Sequence, residues 1–458
     1  MSSSASRREF LKRASALSLT GVAAPWALNL AAMGEAAAAA ATDYKALVCI
    51  FMYGGNDYAN TLVPYDAPSH AAYQTQRASI AIARDTLGAS VLNPTAALPD
   101  ARQYALAPEL QPLVPLFDAG QLAVMLNVGT LVRPTSKLEY ANKSAPLPPK
   151  LFSHNDQQSV WQSSAPEGST SGWGGRMGDL FAAGNGNATF TCVSVAGNAV
   201  YLSGNSAVQY QVTPNGSVPL SALAKPLFGS QACSDALRAL VTAPRSHLFE
   251  AEHARVMKRS IEADAQLTSA LAGTAALRTV FPAGNPLAAQ LAMVARMISA
   301  RTALSAKRQV FFVSLGGFDT HDGILTEHPA LMATVGQALA AFQAASVEMG
   351  VSNSVTAFTA SDFGRTLTTD GDGSDHGWGS MHFVLGGAVK GRAFYGAAPV
   401  IANNGPDDVG QGRLLPSMAV DQFGATLASW FGVSHTDLAS VLPNIGNYST
   451  RDLGFMAA

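Results

Sequence analysis

Residues 47–57 read Leu-Val-Cys-Ile-Phe-Met-Tyr-Gly-Gly-Asn-Asp, an apolar run that stops at two glycines and two polar side chains. A strand with one wet face alternates apolar with polar residues. A run without alternation suits a strand covered on both faces. Leu122–Leu126, Val310–Val313 and Val355–Phe358 have the same character. Helical signals lie between these runs. Asn285-Pro286 joins a capping side chain to a proline at the first helical position, and Leu287, Leu291, Val294 and Ile298 then share one face. Residues 246–271 and 329–346 read as further helices. The alternation predicts an α/β fold of three layers, a mostly parallel central sheet between helices, in a single domain over residues 43–458. Gly197-Asn198, Gly204-Asn205 and Asn215-Gly216 punctuate short β-prone stretches, which predicts a small β-rich insertion at about residues 187–228.

Composition narrows the function classes. Of 458 residues, 48% are hydrophobic and 13% charged, so burial can offset the entropy of ordering the chain. A net charge of −2 leaves no cationic excess to neutralise phosphates, which argues against a nucleic-acid partner. Three cysteines, Cys49, Cys192 and Cys233, are too few for a disulfide scaffold, a cysteine-rich zinc site or a thiolate-held iron–sulfur cluster.

The N-terminus reads as an address. Ser6-Arg7-Arg8-Glu9-Phe10-Leu11-Lys12 carries paired arginines before an apolar pair and a lysine, a milder apolar stretch follows from Ala14 to Ala32, and small residues run from Ala36 to Ala41. This predicts a twin-arginine signal peptide over residues 1–41, the twin-arginine translocase as export partner, and a periplasmic or extracellular mature protein without stable membrane insertion. Pro25 and Asn29 make the stretch less apolar than a spanning helix requires.

Acids and histidines gather just beyond the apolar runs. The first run ends in Gly54-Gly55-Asn56-Asp57, the third in Gly316-Gly317-Phe318-Asp319-Thr320-His321, and the fourth in Ser361-Asp362-Phe363-Gly364-Arg365, with Asp375-His376 and His382 following. In an open parallel sheet ligands sit beyond the carboxyl ends of the strands, so these clusters are expected on one rim. Aspartate and imidazole without thiolate suit a divalent cation such as Zn, Mn, Mg, Ca or Fe. Asp57, Asp319, His321, Asp362, His376 and His382 are the candidate ligands. Each also has a structural reading as a turn or cap residue, and the acidic stretch from Asp370 fails the calcium-loop template because Asp375 holds its glycine position. Ser153 stands at a helix start, as a nucleophile near the helix dipole or as a simple N-cap. Arg365 suits either an oxyanion held by bidentate bonds or a structural ion pair.

Taken together, GGNDYANTLVPY, LFSHNDQQSVWQ, GGFDTHD, SDFGRT, DHGWGSMHFVLGG and VDQFGATLASWFGV resemble the bacterial exported family known as domain of unknown function 1501. That family is regarded as related to the alkaline phosphatase and sulfatase superfamily. The resemblance implies a divalent-metal site at the strand ends. It assigns Asp57, Asp319, His321 and Asp362 as ligands, either His376 or His382 as the last histidine, and Ser153 as the residue where the nucleophile helix begins. The sequence departs from the superfamily at Asp362-Phe363, where an Asp-His pair is expected.

The leading expectation is therefore a metal-dependent hydrolase of phosphate or sulfate esters, with a small-molecule or polymer ester as substrate. The alternative is a non-catalytic exported binding or assembly protein that keeps the fold and a structural ion. A redox role is weakened by the lack of thiolate ligands and of a G-x-G-x-x-G turn after a strand.

Overall fold

The structure is a computed structural model and describes residues 43–457; the signal read in residues 1–41 lies outside the described residues. In chain order the strands are β1 (Lys45–Met52), β2 (Leu62–Pro64), β3 (Tyr104–Leu106), β4 (Leu122–Gly129), β5 (Cys192–Ser194) and β6 (Tyr210–Thr213). They continue as β7 (Gly216–Ser217), β8 (Arg308–Leu315), β9 (Val355–Ser361), β10 (Ser380–Leu385), β11 (Ala393–Tyr395) and β12 (Met418–Ala419). The principal helices are α1 (Tyr58–Thr61), α2 (Ala67–Gln76), α3 (His154–Ser163), α4 (Trp173–Phe181), α5 (Gln231–Thr242), α6 (Leu248–Ala272), α7 (Pro286–Ser299), α8 (Ile324–Glu348) and α9 (Val420–Phe431).

Ten strands form one sheet in the order β11-β4-β10-β9-β1-β8-β5-β6-β7, with β12 beside β4. Strands β9, β1, β8, β5 and β6 are mutually parallel, while β10 runs antiparallel to both β9 and β4. The expected α/β architecture with a mostly parallel sheet is what the chain adopts. β1 shows why its apolar run is unbroken. Val48, Ile50 and Met52 face a core that includes Leu291 of α7 and Leu339 of α8, whereas Leu47, Cys49 and Phe51 face Trp161, Trp173 and Phe423 of α3, α4 and α9. Both faces are dry, so neither tolerates a polar side chain.

Helix α7 starts where the sequence indicates: the Asn285 side chain accepts from the Ala288 amide, with Pro286 at the first helical position. Helix α8 is long and apolar enough by composition to cross a membrane, yet its Met332, Val335, Leu339 and Phe342 sit in the core beneath the sheet. Within residues 187–228, β5 and β6 continue the main sheet in parallel, and only β6–β7 closes a hairpin, over Asn215-Gly216. Gly197-Asn198 and Gly204-Asn205 lie in irregular backbone around a short 3₁₀ turn.

Register decides what comes together. Met52 pairs with Leu315 on one side and Ser361 on the other, so three central parallel strands end level. The chain leaving each must therefore emerge at the same rim. Gly54 makes the first exit possible: its φ is +118°, and a Cβ there would lie 2.3 Å from the Asp319 amide nitrogen. Only a residue without a side chain lets the turn after β1 lie on the turn after β8.

Candidate metal centre

Four side chains from three parts of the chain meet at this rim. Asp319 and His321 follow β8 directly. His376 comes from the loop between β9 and β10, which is tied to the segment after β9 by a bridge between Arg365 and His376. His154 is the first residue of α3. The Nε2 of His376 lies 3.1 Å from the Nε2 of His154 and 3.0 Å from that of His321. Asp319 closes the set, with Oδ1 at 3.0 Å from His321 Nε2 and 3.2 Å from His376 Nε2, and Oδ2 at 3.3 Å from His154 Nε2.

The other ring nitrogens show what the inner ones present. His376 Nδ1 sits 2.7 Å from the Phe152 carbonyl, which can only accept, so Nδ1 carries the proton and Nε2 turns its lone pair inward. Phe152 reaches that position through a left-handed backbone, φ 74°. His154 Nδ1 sits 2.6 Å from Asp362 Oδ2, which likewise fixes a proton there and leaves Nε2 as the inward acceptor. Two imidazole lone pairs facing each other at hydrogen-bond distance, with a carboxylate beside them, repel unless positive charge lies between them. Donors around a cation with bonds of about 2.0–2.1 Å stand roughly 3.3 Å apart in a tetrahedron, close to the spacings found here. The residues fit a divalent cation. The Asp362–His154 pair is the carboxylate–imidazole arrangement that orients a metal-binding histidine.

Asp362 is fully buried. Its Oδ2 accepts from His154, from Gln158 Nε2 at 2.8 Å and from the Gly54 amide at 3.2 Å, while Oδ1 has no partner. Negative charge is thus under-compensated immediately behind His154. The His154 imidazole is pushed up in pKa, chiefly by its hydrogen bond to Asp362, whereas burial pushes His376 down. Burial would raise the Asp319 carboxyl, but the Arg365 hydrogen bond and charge outweigh it and hold it low. The Phe363 ring packs on both imidazoles, with centroids 4.9 Å from His154 and 4.8 Å from His376, and walls the cluster. Arg413 completes the frame, donating to the His376 carbonyl at 2.7 Å and to Asp375 at 3.1 Å while lying over the Phe152 ring.

The structure brings Asp319, His321, His376, Asp362 and Arg365 together and places the other sequence candidates differently. Asp57 is sealed beneath the rim. Its Oδ2 takes Arg77 at 2.6 Å and Ser374 at 2.7 Å, and its Oδ1 caps α1 through the Asn60 amide at 3.0 Å. The chain turns inward after Gly55, so the side chain points into the protein and not at the cluster. His382 lies inside β10, whose antiparallel course carries it away from the rim. Its ring is buried against Trp161, and burial pushes its pKa down to about 3. Arg365 is fully buried and donates to Asp319 at 2.5 Å, to the Gly54 carbonyl at 3.2 Å and to Ser374, which corresponds to the ion-pair reading of this residue. Ser153 precedes His154 and donates to Asp156 at 3.2 Å, without capping the helix backbone.

Sequence reasoning passed over His154, Arg77, Gln158 and the Phe152 carbonyl. Only His154 had a signal, as the imidazole beside the serine in LFSHND that answers for the histidine lacking after Asp362.

Comparison with curated proteins gives no match. Among solved structures, Ps i-CgsB in complex with k-i-k-neocarrahexaose is similar at 8% identity and a TM-score of 0.37, over 89% of this chain and 77% of that one. Ps i-CgsB by itself is similar at 8% identity and a TM-score of 0.35 over the same shares. Likeness this loose carries no argument about fold or function. A family described as protein of unknown function, DUF1501, matches residues 44–442. That match spans the sheet, the principal helices and every residue of the histidine–aspartate cluster, and the chain belongs to the DUF1501 family.

Proposed function

We propose that this chain is an exported, metal-dependent hydrolase of phosphate or sulfate esters, related to the alkaline phosphatase and sulfatase superfamily. One observation carries the reading: three imidazole nitrogens and a carboxylate converge within 3.0–3.3 Å of a neighbour at the carboxyl rim of a parallel sheet. When bound, a divalent cation supplies Lewis-acid stabilisation of the charge that develops on an ester oxygen. The chain's own residues prepare that site. Asp362 holds the His154 tautomer, the Phe152 carbonyl holds that of His376, and Arg365 anchors Asp319. Asp319 and His321 are part-exposed, which leaves one side of the cluster open to a substrate, small or polymeric. Ser153 supplies a hydroxyl one residue from the cluster, and Ser153→Ala separates a covalent route, in which turnover disappears, from attack by water, in which it persists.

One observation favours a second reading, a binding protein with a structural ion. Neither group expected to touch the ester is free to do so: the Ser153 hydroxyl is given to Asp156, and the buried Arg365 guanidinium is spent on Asp319 within the cluster. The test has two arms. Chelation should lower the melting temperature and Zn2+ or Mn2+ restore it, because a ligand of the folded state stabilises it by mass action. The metal-loaded protein should then hydrolyse aryl phosphates or aryl sulfates. Restored melting without turnover on either ester class selects the binding protein. No response to metal in either arm removes both readings.

A further inference from the structure

We propose that the cluster is a one-cation centre with His154, Asp319 and His376 as its ligands, and that the Arg77 guanidinium takes the place of a second cation at Asp57. The inference rests on the metal-binding part of the reading above, not on the ester chemistry.

Counting donor atoms leads to it. Among the described residues, two groups of histidine and carboxylate side chains can gather donors on one ion: His154 with Asp319 and His376, and His321 with Asp375 and His376. They share His376. That ring has one inward nitrogen, because its Nδ1 is spent on the Phe152 carbonyl. The two groups therefore compete for one nitrogen, and only one of them can be filled at a time. His154 with Asp319 and His376 is the set whose outer partners, Asp362 and the Phe152 carbonyl, are fixed by hydrogen bonds. Asp375 is the outlying member: its Oδ2 pairs with Arg413, and its Oδ1 accepts the His376 amide and lies 4.0 Å from His321 Nδ1, the ring nitrogen turned away from the centre. It stands behind His321 much as Asp362 stands behind His154. Asp319 contributes Oδ2, which faces His154, since Oδ1 is held by Arg365.

Among the described residues, Asp57 belongs to no group of histidine and carboxylate donors that could hold an ion. Both oxygens of Asp57 are given to protein donors, and the carboxylate is closed off from solvent. Arg77 is equally buried, pairs with Asp57 at 2.6 Å and also donates to the Thr366 carbonyl at 2.9 Å. A divalent ion at Asp57 would have to displace a guanidinium that cannot lose its proton and would have nowhere to go. Arg77 thus provides as a fixed side chain the positive charge that a second metal would provide. It also links to the centre, because the Ser374 hydroxyl that donates to Asp57 lies 3.4 Å from Nε of Arg365, the residue that holds Asp319. Two imidazoles and one carboxylate favour a borderline cation such as Zn2+ over Mg2+ or Ca2+, which prefer all-oxygen shells.

The test is stoichiometry and affinity, read without substrate. The chelated mature protein, titrated with Zn2+ by calorimetry and assayed by elemental analysis after desalting, should hold one ion per chain. His154→Gln and His376→Gln should each weaken binding at least tenfold. Asp57→Asn alone would strand a buried guanidinium and risk misfolding, so the informative variant is Asp57→Asn with Arg77→Gln, which removes both charges together. It should still bind one ion, with an affinity within about threefold of wild type. Two ions per wild-type chain overturn the proposal, as does wild-type affinity in His154→Gln or loss of the ion in a folded double variant. One ion held by these ligands without ester turnover leaves this proposal standing and removes the hydrolase.

Discussion

At the scale of the residue, a side chain's chemistry follows from what burial does to its charge. Asp421, in the first turn of α9, shows this away from the metal cluster. Its carboxylate accepts from the Asn444 amide at 3.0 Å and the Ser164 hydroxyl at 3.3 Å, yet burial dominates and pushes its pKa up to about 6. A carboxyl whose folded pKa exceeds its unfolded value of about 3.9 adds stability that is complete below the unfolded value and is lost as pH rises through the folded one. Asp421→Asn has no such titration. Its stability relative to wild type should rise between pH 4 and pH 7, by on the order of 2 kcal/mol. Urea melts of the two proteins at both pH values measure this, and parallel behaviour would show that the carboxylate is adequately solvated. The same scale marks what sequence reading could recover. Asp319, His321 and Asp362 could be singled out because each stands a few residues beyond a strand end, and His376 because it shortly precedes β10. The setting of Asp57 was not, because Arg77 lies twenty residues further on, beyond any spacing rule.

At the scale of the element, three parallel strands ending level are what concentrate function at one rim. β1 fixes the level, being paired along its whole length to β8 and along most of it to β9. The exits from these strands lie so close that Gly54 cannot carry a side chain. Gly54→Ala would place a Cβ 2.3 Å from the Asp319 amide nitrogen and 2.8 Å from the Phe318 carbonyl carbon, in a backbone conformation that alanine resists. The expected cost is about 2–3 kcal/mol, with displacement of Asp319. Thermal melts with and without Zn2+ separate these effects: lower stability together with a smaller metal-induced gain is expected, and a wild-type melt would contradict the close approach. Helices were legible where a cap announced them, as at Asn285-Pro286. The short strands β5 and β6 were harder, since β5 is held by β8 and β6 by β5, pairings with distant or parallel partners that the hairpin turns in their sequence do not announce.

At the scale of the whole molecule, the fold separates a scaffold from an address. The described residues form a sheet with helices on both faces, and the segment read from the sequence as a twin-arginine signal comes before the first strand. The pairing of the two guanidinium groups is the signal that segment offers. Replacing Arg7 and Arg8 together by lysine keeps the charge and removes the motif, so the full-length precursor should remain in the cytoplasm while its folded part is unchanged. Fractionation and immunoblotting decide this; undiminished export of the double variant would refute the assignment.

Composition and period by themselves determined the α/β class, the place of β1 in the sheet and the rim on which polar groups gather. These follow from local rules, because a strand dry on both faces must be apolar throughout and a parallel sheet must end in turns on one side. Which of those polar groups meet was decided only by the tertiary structure. His154 turns inward because Asp362, 208 positions further along the chain, holds its outer nitrogen. Asp57 is withdrawn from the cluster because a buried guanidinium neutralises it, and His382 because its strand runs the opposite way. Burial, partner and direction are properties of the packed chain, and a linear pattern holds the residue types without them.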